Sequence, residues 1–215
     1  MKFYESGDNS KPVIFLFPGT CCLYSSFDHI LDGLHSYFYT VTVSYDGFDP
    51  NEKTEFYSME DECEKIEQEI KKKYDGRIKA AYGCSLGGSF VSLLIQRKRI
   101  HIDHGIIGSS DMDEAGNLVA KIQASMVVPF MYKMIHTGAL PKFMQKKLNK
   151  TDEVKKELYN GFLNMFGIGK GGNPWITKQS IYNQFYSDLV TKVQHGIDVP
   201  GTTIHVFYAT KTVSY

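Results

Sequence analysis

The sequence has no excess of charge of either sign, which argues against one class of partner. Its 215 residues include 24 lysines and arginines and 24 aspartates and glutamates, so the formal net charge is +0. Proteins that hold nucleic acid or an anionic membrane mainly by electrostatics carry a surplus of basic residues. The overall composition therefore gives no reason to expect either partner.

Cysteine is scarce, and its placement is unlike that of a disulfide framework. The four cysteines are Cys21, Cys22, Cys63 and Cys84. Two of them are adjacent and cannot easily bridge to each other, and scattered thiols of this kind are typical of a reducing compartment. We therefore expect a cytoplasmic protein.

Long apolar runs are missing as well. Residues 1–8 carry acidic side chains and lack the continuous apolar core of a secretory signal. No later stretch approaches the roughly 18 consecutive apolar residues of a membrane span. Hydrophobic residues still make up 42% of the chain and charged residues 22%, as in ordinary globular proteins. A chain of this length suits one α/β domain.

Short β-forming runs alternate with helical patterns in the first half of the chain. The runs predict strands at 13–17, 37–45, 78–82 and 102–108. The helices between them are predicted to begin at Ser25 or Ser26, after a sequence resembling a capping box at 58–61, and at Leu86. This order predicts a mostly parallel sheet with helices on both faces.

The alternation stops between residues 111 and 196. That segment predicts helices near 117–136, 151–165 and 179–194, and a strand pattern returns only at 202–209. A helical insertion between two strands is typical of a lid over a site at the strand ends. We therefore predict a single domain over 1–215, with a helical lid at 111–196 within it.

The sequence Gly83-Cys84-Ser85-Leu86-Gly87 follows a predicted strand and opens a predicted helix. A sharp turn of this kind holds the serine in a strained conformation, with its hydroxyl at the carboxyl edge of the sheet. Glycine is needed two residues to either side because larger side chains would collide with neighbouring strands. The Leu86 N–H, at the helix N-terminus, points to where an oxyanion would form. The motif predicts a nucleophilic Ser85.

With this motif in this context, the chain resembles the α/β-hydrolase superfamily. A second match, Phe17-Pro18-Gly19-Thr20, stands where that family places its first oxyanion loop, although the family often has histidine at the position of the proline. The resemblance covers about residues 1–210 in element order. It implies an α/β-hydrolase-like sheet, and an oxyanion hole made by the backbone N–H groups of Thr20 and Leu86.

The resemblance also implies an acid and a histidine after the nucleophile. Only residues 210–215 follow the strand predicted at 202–209, and they contain no Asp, Glu or His. Asp111, which follows an earlier strand, is an alternative acid, although a helix cap or turn is the favoured interpretation. We expect a C-terminally shortened chain, in preference to a natural protein that has lost its triad.

The seven histidines do not offer an obvious catalytic base. His205 is predicted inside a buried strand, while His101 and His104 flank the start of another strand, away from the motif serine. His29, on the first helix, and His136, in the lid, are alternative bases. Surface or packing roles fit both of them better.

These patterns predict a serine hydrolase of the esterase, lipase or thioesterase kind, impaired as it stands because its base is missing. The alternatives are an acyltransferase using the same serine, and a non-catalytic ligand-binding or interaction protein. An exposed sheet edge would then pair with a partner or a second copy. No motif indicates a cofactor or metal. The Met- and Phe-rich stretch 126–134 is either lid core or the lining of an acyl pocket.

Overall fold

In a computed structural model that describes residues 1–110, 114–168 and 171–207, the chain folds around one six-stranded sheet. The strands are β1 (Lys2–Ser6), β2 (Val13–Phe17), β3 (Tyr39–Ser44), β4 (Arg77–Cys84), β5 (His101–Gly108) and β6 (Thr203–Phe207). They lie in the order β1-β3-β2-β4-β5-β6. β1 pairs antiparallel with β3, and every other neighbouring pair is parallel. The predicted α/β class with a mostly parallel sheet is confirmed.

Seven α-helices accompany the strands in the described ranges. They are α1 (Asp28–His35), α2 (Met59–Tyr74), α3 (Leu86–Arg97), α4 (Asn117–Thr137), α5 (Lys142–Leu148), α6 (Glu153–Met165) and α7 (Lys178–Val190). The first three connect strands of the sheet. The last four lie between β5 and β6, and we call α4–α7 together the helical insertion. Sequence patterning predicts three of these four helices and misses the short α5.

Alternate side chains of β2 belong to two separate cores. Ile14 and Leu16 are buried beneath α1, in a cluster that also contains Phe27. Phe15 and Phe17 point to the other face, into the large core that α2 and α3 cover. A strand buried on both faces reads as a continuous apolar run, which is why β2 is predictable from sequence.

The start of α2 follows the predicted signal, whereas the start of α1 does not. The Ser58 hydroxyl accepts a hydrogen bond from the Asp61 N–H at 3.1 Å, and Asp75 ends the helix with a φ of 51°. Neither Ser25 nor Ser26 caps α1, so that prediction is wrong. Both serines lie in a 3-10 helix that runs directly into α1, and Phe27 occupies the N-cap position.

The helical insertion packs on loops that follow the carboxyl ends of the strands. The Leu23 N–H, in the loop after β2, donates to the carbonyl of Met165 at 3.1 Å. The Phe56 N–H, in the loop after β3, donates to the Ser180 hydroxyl at 3.2 Å. These contacts fix α6 and α7 above the carboxyl edge of the sheet.

The two outer strands of the sheet differ most from the sequence predictions. β1 lies outside the predicted strands. All five described residues of β6 are exposed, so the prediction that His205 lies inside a buried strand is wrong. β6 pairs only with β5 among the described residues, and a strand at an edge is covered on one side alone. Residues 208 and 209, the predicted end of this strand, lie outside the described ranges.

Candidate active site

Ser85 is the single residue between β4 and α3, and its backbone has the strained conformation that the motif predicts. Its φ is 53° and its ψ is −124°, a conformation that side-chain-bearing residues rarely adopt. The Ser85 N–H still pairs with the carbonyl of Gly108 on β5 at 2.9 Å. Its carbonyl already accepts the Gly88 N–H at 2.8 Å, as in the first turn of a helix. The chain therefore turns from strand to helix within one residue, and the side chain is left exposed.

The glycines of the motif are required by close backbone approach. A Cβ on Gly83 would lie 2.0 Å from the carbonyl carbon of Gly87, and one on Gly87 would lie 2.1 Å from the carbonyl oxygen of Phe17. A Cβ on Gly88 would lie 2.7 Å from the Cβ of Ser110. No real Cβ lies so close to a backbone atom, so Gly83 and Gly87 are required for α3 to pack this tightly on the sheet, and a side chain at Gly88 would force Ser110 to move.

The loop after β2 lies directly against the turn at Ser85. A Cβ on Gly19 would be 3.7 Å from the Cβ of Ser85 and 3.2 Å from the carbonyl oxygen of Cys84. The loop closes tightly, because the Cys22 N–H donates to the carbonyl of Gly19 at 3.0 Å and Cys21 has a φ of 59°. The structure thus brings the two sequence motifs together around Ser85.

Two side chains that sequence patterning does not single out hold this loop. The Tyr45 hydroxyl donates to the carbonyl of Pro18 at 3.1 Å. The side-chain oxygen of Gln184, from α7, accepts the Cys21 N–H at 2.6 Å. Both side chains are buried. A buried glutamine on a helix has the same sequence appearance as a surface glutamine, so no sequence signal identifies it.

The two predicted oxyanion donors belong to the two motifs that meet at Ser85. The Leu86 N–H belongs to the first turn of α3, where N–H groups have no intrahelical acceptor. The Thr20 N–H donates no hydrogen bond to any atom within the described ranges. Donors of this kind stabilise an oxyanion when they lie within hydrogen-bond distance of it.

Two cysteines near Ser85 are poor alternatives to it as nucleophiles. Burial raises the pKa of the Cys22 thiol to about 12, with a further contribution from Cys84. Burial likewise raises the pKa of Cys84, the neighbour of Ser85 in sequence. Since the thiolate is the nucleophilic form, both groups are unreactive near neutral pH.

Solved structures with this architecture are numerous. An alpha/beta hydrolase family protein from Desulfitobacterium hafniense matches with a TM-score of 0.65 and 16% identity, over 88% of this chain and 72% of its own. A carboxylesterase from the thaumarchaeon Nitrososphaera gargenis matches at 0.66 and 14%, over 95% and 74%. The enol-lactonase from Burkholderia xenovorans matches at 0.60 and 12%, over 95% and 75%. This chain has the α/β-hydrolase fold.

Sequence comparison adds nothing to this fold assignment. No protein-family model matches the chain, and no similar sequence is found among curated proteins. The chain spans about three quarters of the length of the three α/β hydrolases named above. The fold assignment therefore rests on the similarity of the three-dimensional structures, which agrees with the two short sequence motifs.

The Ser85 hydroxyl makes no hydrogen bond with any residue that the structure describes. His29 lies exposed on α1. His136 lies in the helical insertion, where its ring stands 5.0 Å from the ring of Tyr132, and its buried Nδ1 has no described partner. Neither histidine is hydrogen bonded to Ser85. Asp111, the alternative acid, lies outside the described residues.

The described residues contain no group of three His, Cys, Asp or Glu side chains that could hold a metal ion. Two cavities lie away from Ser85. One of about 620 Å³ opens at the amino edge of the sheet, beside Gly76 and His101. The other, of about 290 Å³, lies between α4 and α7, beside Val128 and Tyr182.

Proposed function

We propose that this α/β-hydrolase-fold protein is a serine hydrolase of carboxylic esters or thioesters, with Ser85 as its nucleophile. The observation that carries the proposal is the backbone of Ser85, held at a φ of 53° between glycines that no other residue could replace. Strain of this kind persists only where the surrounding structure enforces it, and it concentrates at functional sites. A hydroxyl presented at a strand-to-helix turn matches the nucleophile elbow of this fold.

The chemistry follows from the groups around Ser85. Its Oγ attacks the carbonyl carbon while the carbonyl oxygen gains negative charge, and the N–H groups of Thr20 and Leu86 stabilise that charge. The hydroxyl proton passes to a base and then to the departing alcohol or thiol. Water next attacks the acyl-serine, which releases the acid and returns the hydroxyl.

Exposure of Ser85 favours hydrolysis over acyl transfer. A transferase must keep water from its acyl-enzyme until the second substrate arrives. The Ser85 side chain is exposed, so water reaches the acylated serine freely. An acyltransferase that uses the same serine is the less favoured interpretation for this reason.

The rate is expected to be low in the chain as it stands. A serine hydroxyl without a hydrogen-bonded base remains protonated near pH 7 and is a weak nucleophile. The hydroxyl has no such partner among the described residues. In a serine protease, the oxyanion hole and binding alone still leave about 10³–10⁴-fold catalysis over water. We therefore expect a small rate that depends on Ser85.

A non-catalytic interaction protein is the second candidate, and one observation favours it. Ile204, Val206 and Phe207 are exposed on β6, at the edge of the described sheet. An apolar strand at an edge is a template for pairing with another chain. In this alternative, the fold supplies a binding surface and the turn at Ser85 has no chemistry.

The solved structures of this fold bear on the substrate class. They include a carboxylesterase, an enol-lactonase and a type II thioesterase, which are named for ester, enol-lactone and thioester substrates. We propose the same small acyl substrates here, and we propose a cytoplasmic location because all four cysteines are free thiols.

The decisive test is labelling of the full chain with a fluorophosphonate probe, combined with hydrolysis of an activated phenyl ester. We expect slow labelling that Ser85→Ala abolishes and that the exposed Ser36→Ala leaves unchanged. Wild-type labelling equal to that of Ser85→Ala would refute the catalytic role and favour the interaction protein. Fast labelling would instead show that a base is present, and single substitutions of His29 and His136 would locate it.

A further inference from the structure

Helix α4 is apolar on two opposite sides, and only one of them is covered. Ala120, Ala124 and Val128 form the buried side, which packs against α7. On the opposite side, Leu118 is 73% exposed and Met126 is 75% exposed. A surface helix normally has a single apolar stripe, and a helix that is apolar all round is covered on all sides. The open side of α4 is therefore suited to contact with another apolar surface.

The apolar surface continues from α4 onto α5. Phe130 of α4 and Phe143 of α5 have ring centroids 6.5 Å apart, and Phe143 is 68% exposed. We call six of the exposed apolar side chains of these two helices the docking face; they are Leu118, Val119, Ile122, Met126, Phe130 and Phe143. A contiguous apolar patch of this kind marks a site of interaction.

The segment that carries the docking face has charge of one sign only. Between Glu114 and Asp152 the sequence has six lysines and no acidic residue. Five of these lysines are exposed and form no ion pair with a described residue; they are Lys121, Lys133, Lys142, Lys146 and Lys150. The whole chain has a net charge of zero, but this segment has a basic surplus, and it is the same segment that carries the apolar patch.

We propose that the docking face binds an anionic lipid surface, with its apolar side chains in the boundary between head groups and acyl chains. An amphipathic element with lysines beside exposed large apolar residues has the chemistry of an interfacial helix. Each lysine near an anionic surface adds attraction, and its long stem lets the ammonium reach the phosphate level. A protein partner would need a surface that is both acidic and apolar and that matches the shape of the docking face. An anionic bilayer supplies negative charge and an apolar interior without needing a matching shape.

The geometry favours a helix lying along the membrane over one crossing it. By length and composition, α4 is apolar enough to span a bilayer. Its buried side, however, packs against α7 within the fold, and α7 carries polar side chains such as Gln184 and Ser187. Only the outer side of α4 is open to lipid. The proposal does not depend on the chemistry at Ser85.

Co-sedimentation of the full chain with vesicles tests the proposal. We expect at least about tenfold stronger binding to phosphatidylcholine vesicles containing about 30% phosphatidylglycerol than to phosphatidylcholine alone. Raising the salt to about 1 M shortens the screening length to about 3 Å and should remove most of that preference. Absence of binding, or equal binding to both vesicles, would overturn the proposal.

Matched variants separate the docking face from the general surface. Ile122→Ser with Met126→Ser and Phe130→Ser should abolish binding, whereas Tyr37→Ser with Tyr57→Ser and Val206→Ser, which alters three exposed apolar residues elsewhere, should not. If both triple variants bind as the wild type does, the docking face is not the contact.

Charge reversal tests the contribution of the lysines independently. Lys142→Glu with Lys146→Glu should weaken binding to anionic vesicles at least about tenfold. The control, Lys71→Glu with Lys72→Glu, changes the net charge equally on the exposed side of α2 and should bind as the wild type. Equal losses would mean that net charge alone decides binding. Ser85→Ala should retain full binding, which keeps this result separate from that of the labelling test.

Sedimentation velocity without lipid tests whether a second copy of the chain covers the docking face instead. A monomeric wild type with an open docking face is expected. A dimer that the Ile122→Ser, Met126→Ser and Phe130→Ser variant converts to monomer would show that a second copy covers the face, and the lipid proposal would fail.

Discussion

The side-chain oxygen of Gln184 accepts a hydrogen bond from the backbone N–H of Cys21 at 2.6 Å. The two residues are far apart in sequence, since one lies on α7 and the other in the loop after β2. The bond is buried, and the loop it holds carries Thr20 next to Gly19, which lies against Ser85. One side chain of the helical insertion thus fixes the position of a proposed oxyanion donor.

Gln184→Met should lower both stability and the labelling rate of Ser85. Methionine keeps the length of the side chain, but its thioether accepts hydrogen bonds only weakly, so the buried Cys21 N–H loses its strong acceptor at a cost of about 1–3 kcal/mol. Urea unfolding and fluorophosphonate labelling measure the two effects. Gln179→Met, at an exposed position on the same helix, is the control and should change neither. Wild-type behaviour of Gln184→Met would show that the bond does not matter.

Gly87→Ala should destabilise the protein by more than about 3 kcal/mol or prevent folding. The added Cβ would stand 2.1 Å from the carbonyl oxygen of Phe17, and a backbone atom of a buried strand cannot move aside. Gly33→Ala is the matched control, because its Cβ meets open space on α1. That change should stabilise the helix by about 0.5–1 kcal/mol. Denaturant unfolding of both variants gives the comparison, and similar midpoints would contradict it.

Glu62→Gln should flatten the pH dependence of stability between about pH 4.5 and 7. Burial raises the pKa of the Glu62 carboxyl to about 7 from its ordinary 4.5, although Lys65 donates a hydrogen bond to it. The folded protein therefore keeps a proton that the unfolded chain releases. The contribution of Glu62 to stability falls as the pH rises through this window and stays low above it.

The variant carries no titrating group at this position, so its stability relative to the wild type should rise with pH by about 1–3 kcal/mol. The titration of Asp46 does not interfere with this measurement. Ion pairs with Lys65 and the N-terminal amine lower its pKa, so its contribution is lost only at more acidic pH. Unfolding curves at several pH values test this, with the more exposed Glu64→Gln as control. Parallel profiles for wild type and Glu62→Gln would exclude a titrating Glu62.

Self-association through the edge of the sheet is a prediction for the interaction alternative. Val206→Lys should prevent it, because a charge on an edge strand opposes pairing with another strand. Sedimentation velocity over a range of concentrations would detect association of the wild type and its loss in the variant. A wild type that stays monomeric at high concentration would remove this edge as a pairing surface.

The central sheet and the turn at Ser85 could be predicted from sequence because local physics determines them. β2 is buried on both faces and so forms one apolar run, and steric limits require Gly83 and Gly87 wherever a strand turns so sharply into a helix. The meeting of Gly19 and Ser85 followed from the resemblance to the α/β-hydrolase fold and not from spacing.

The remaining features depend on partners that are distant in sequence. β1 is a strand because β3 lies beside it, and β6 is exposed because only β5 pairs with it among the described residues. Gln184 contacts the proposed site only through a loop that precedes it by more than half the chain. The basic surplus around α4 disappears in a whole-chain sum, because acidic residues elsewhere balance it.

The position of β6 also has a kinetic consequence. The strands from β1 to β5 form within the first half of the chain, whereas β6 joins β5 only after about 95 intervening residues. Closing a loop of that length costs entropy before any strand pairing forms. The pairing of β6 then buries little surface, because all of its described residues are exposed. β6 should therefore join the sheet late during folding, and its amides should be among the first to exchange hydrogen with solvent.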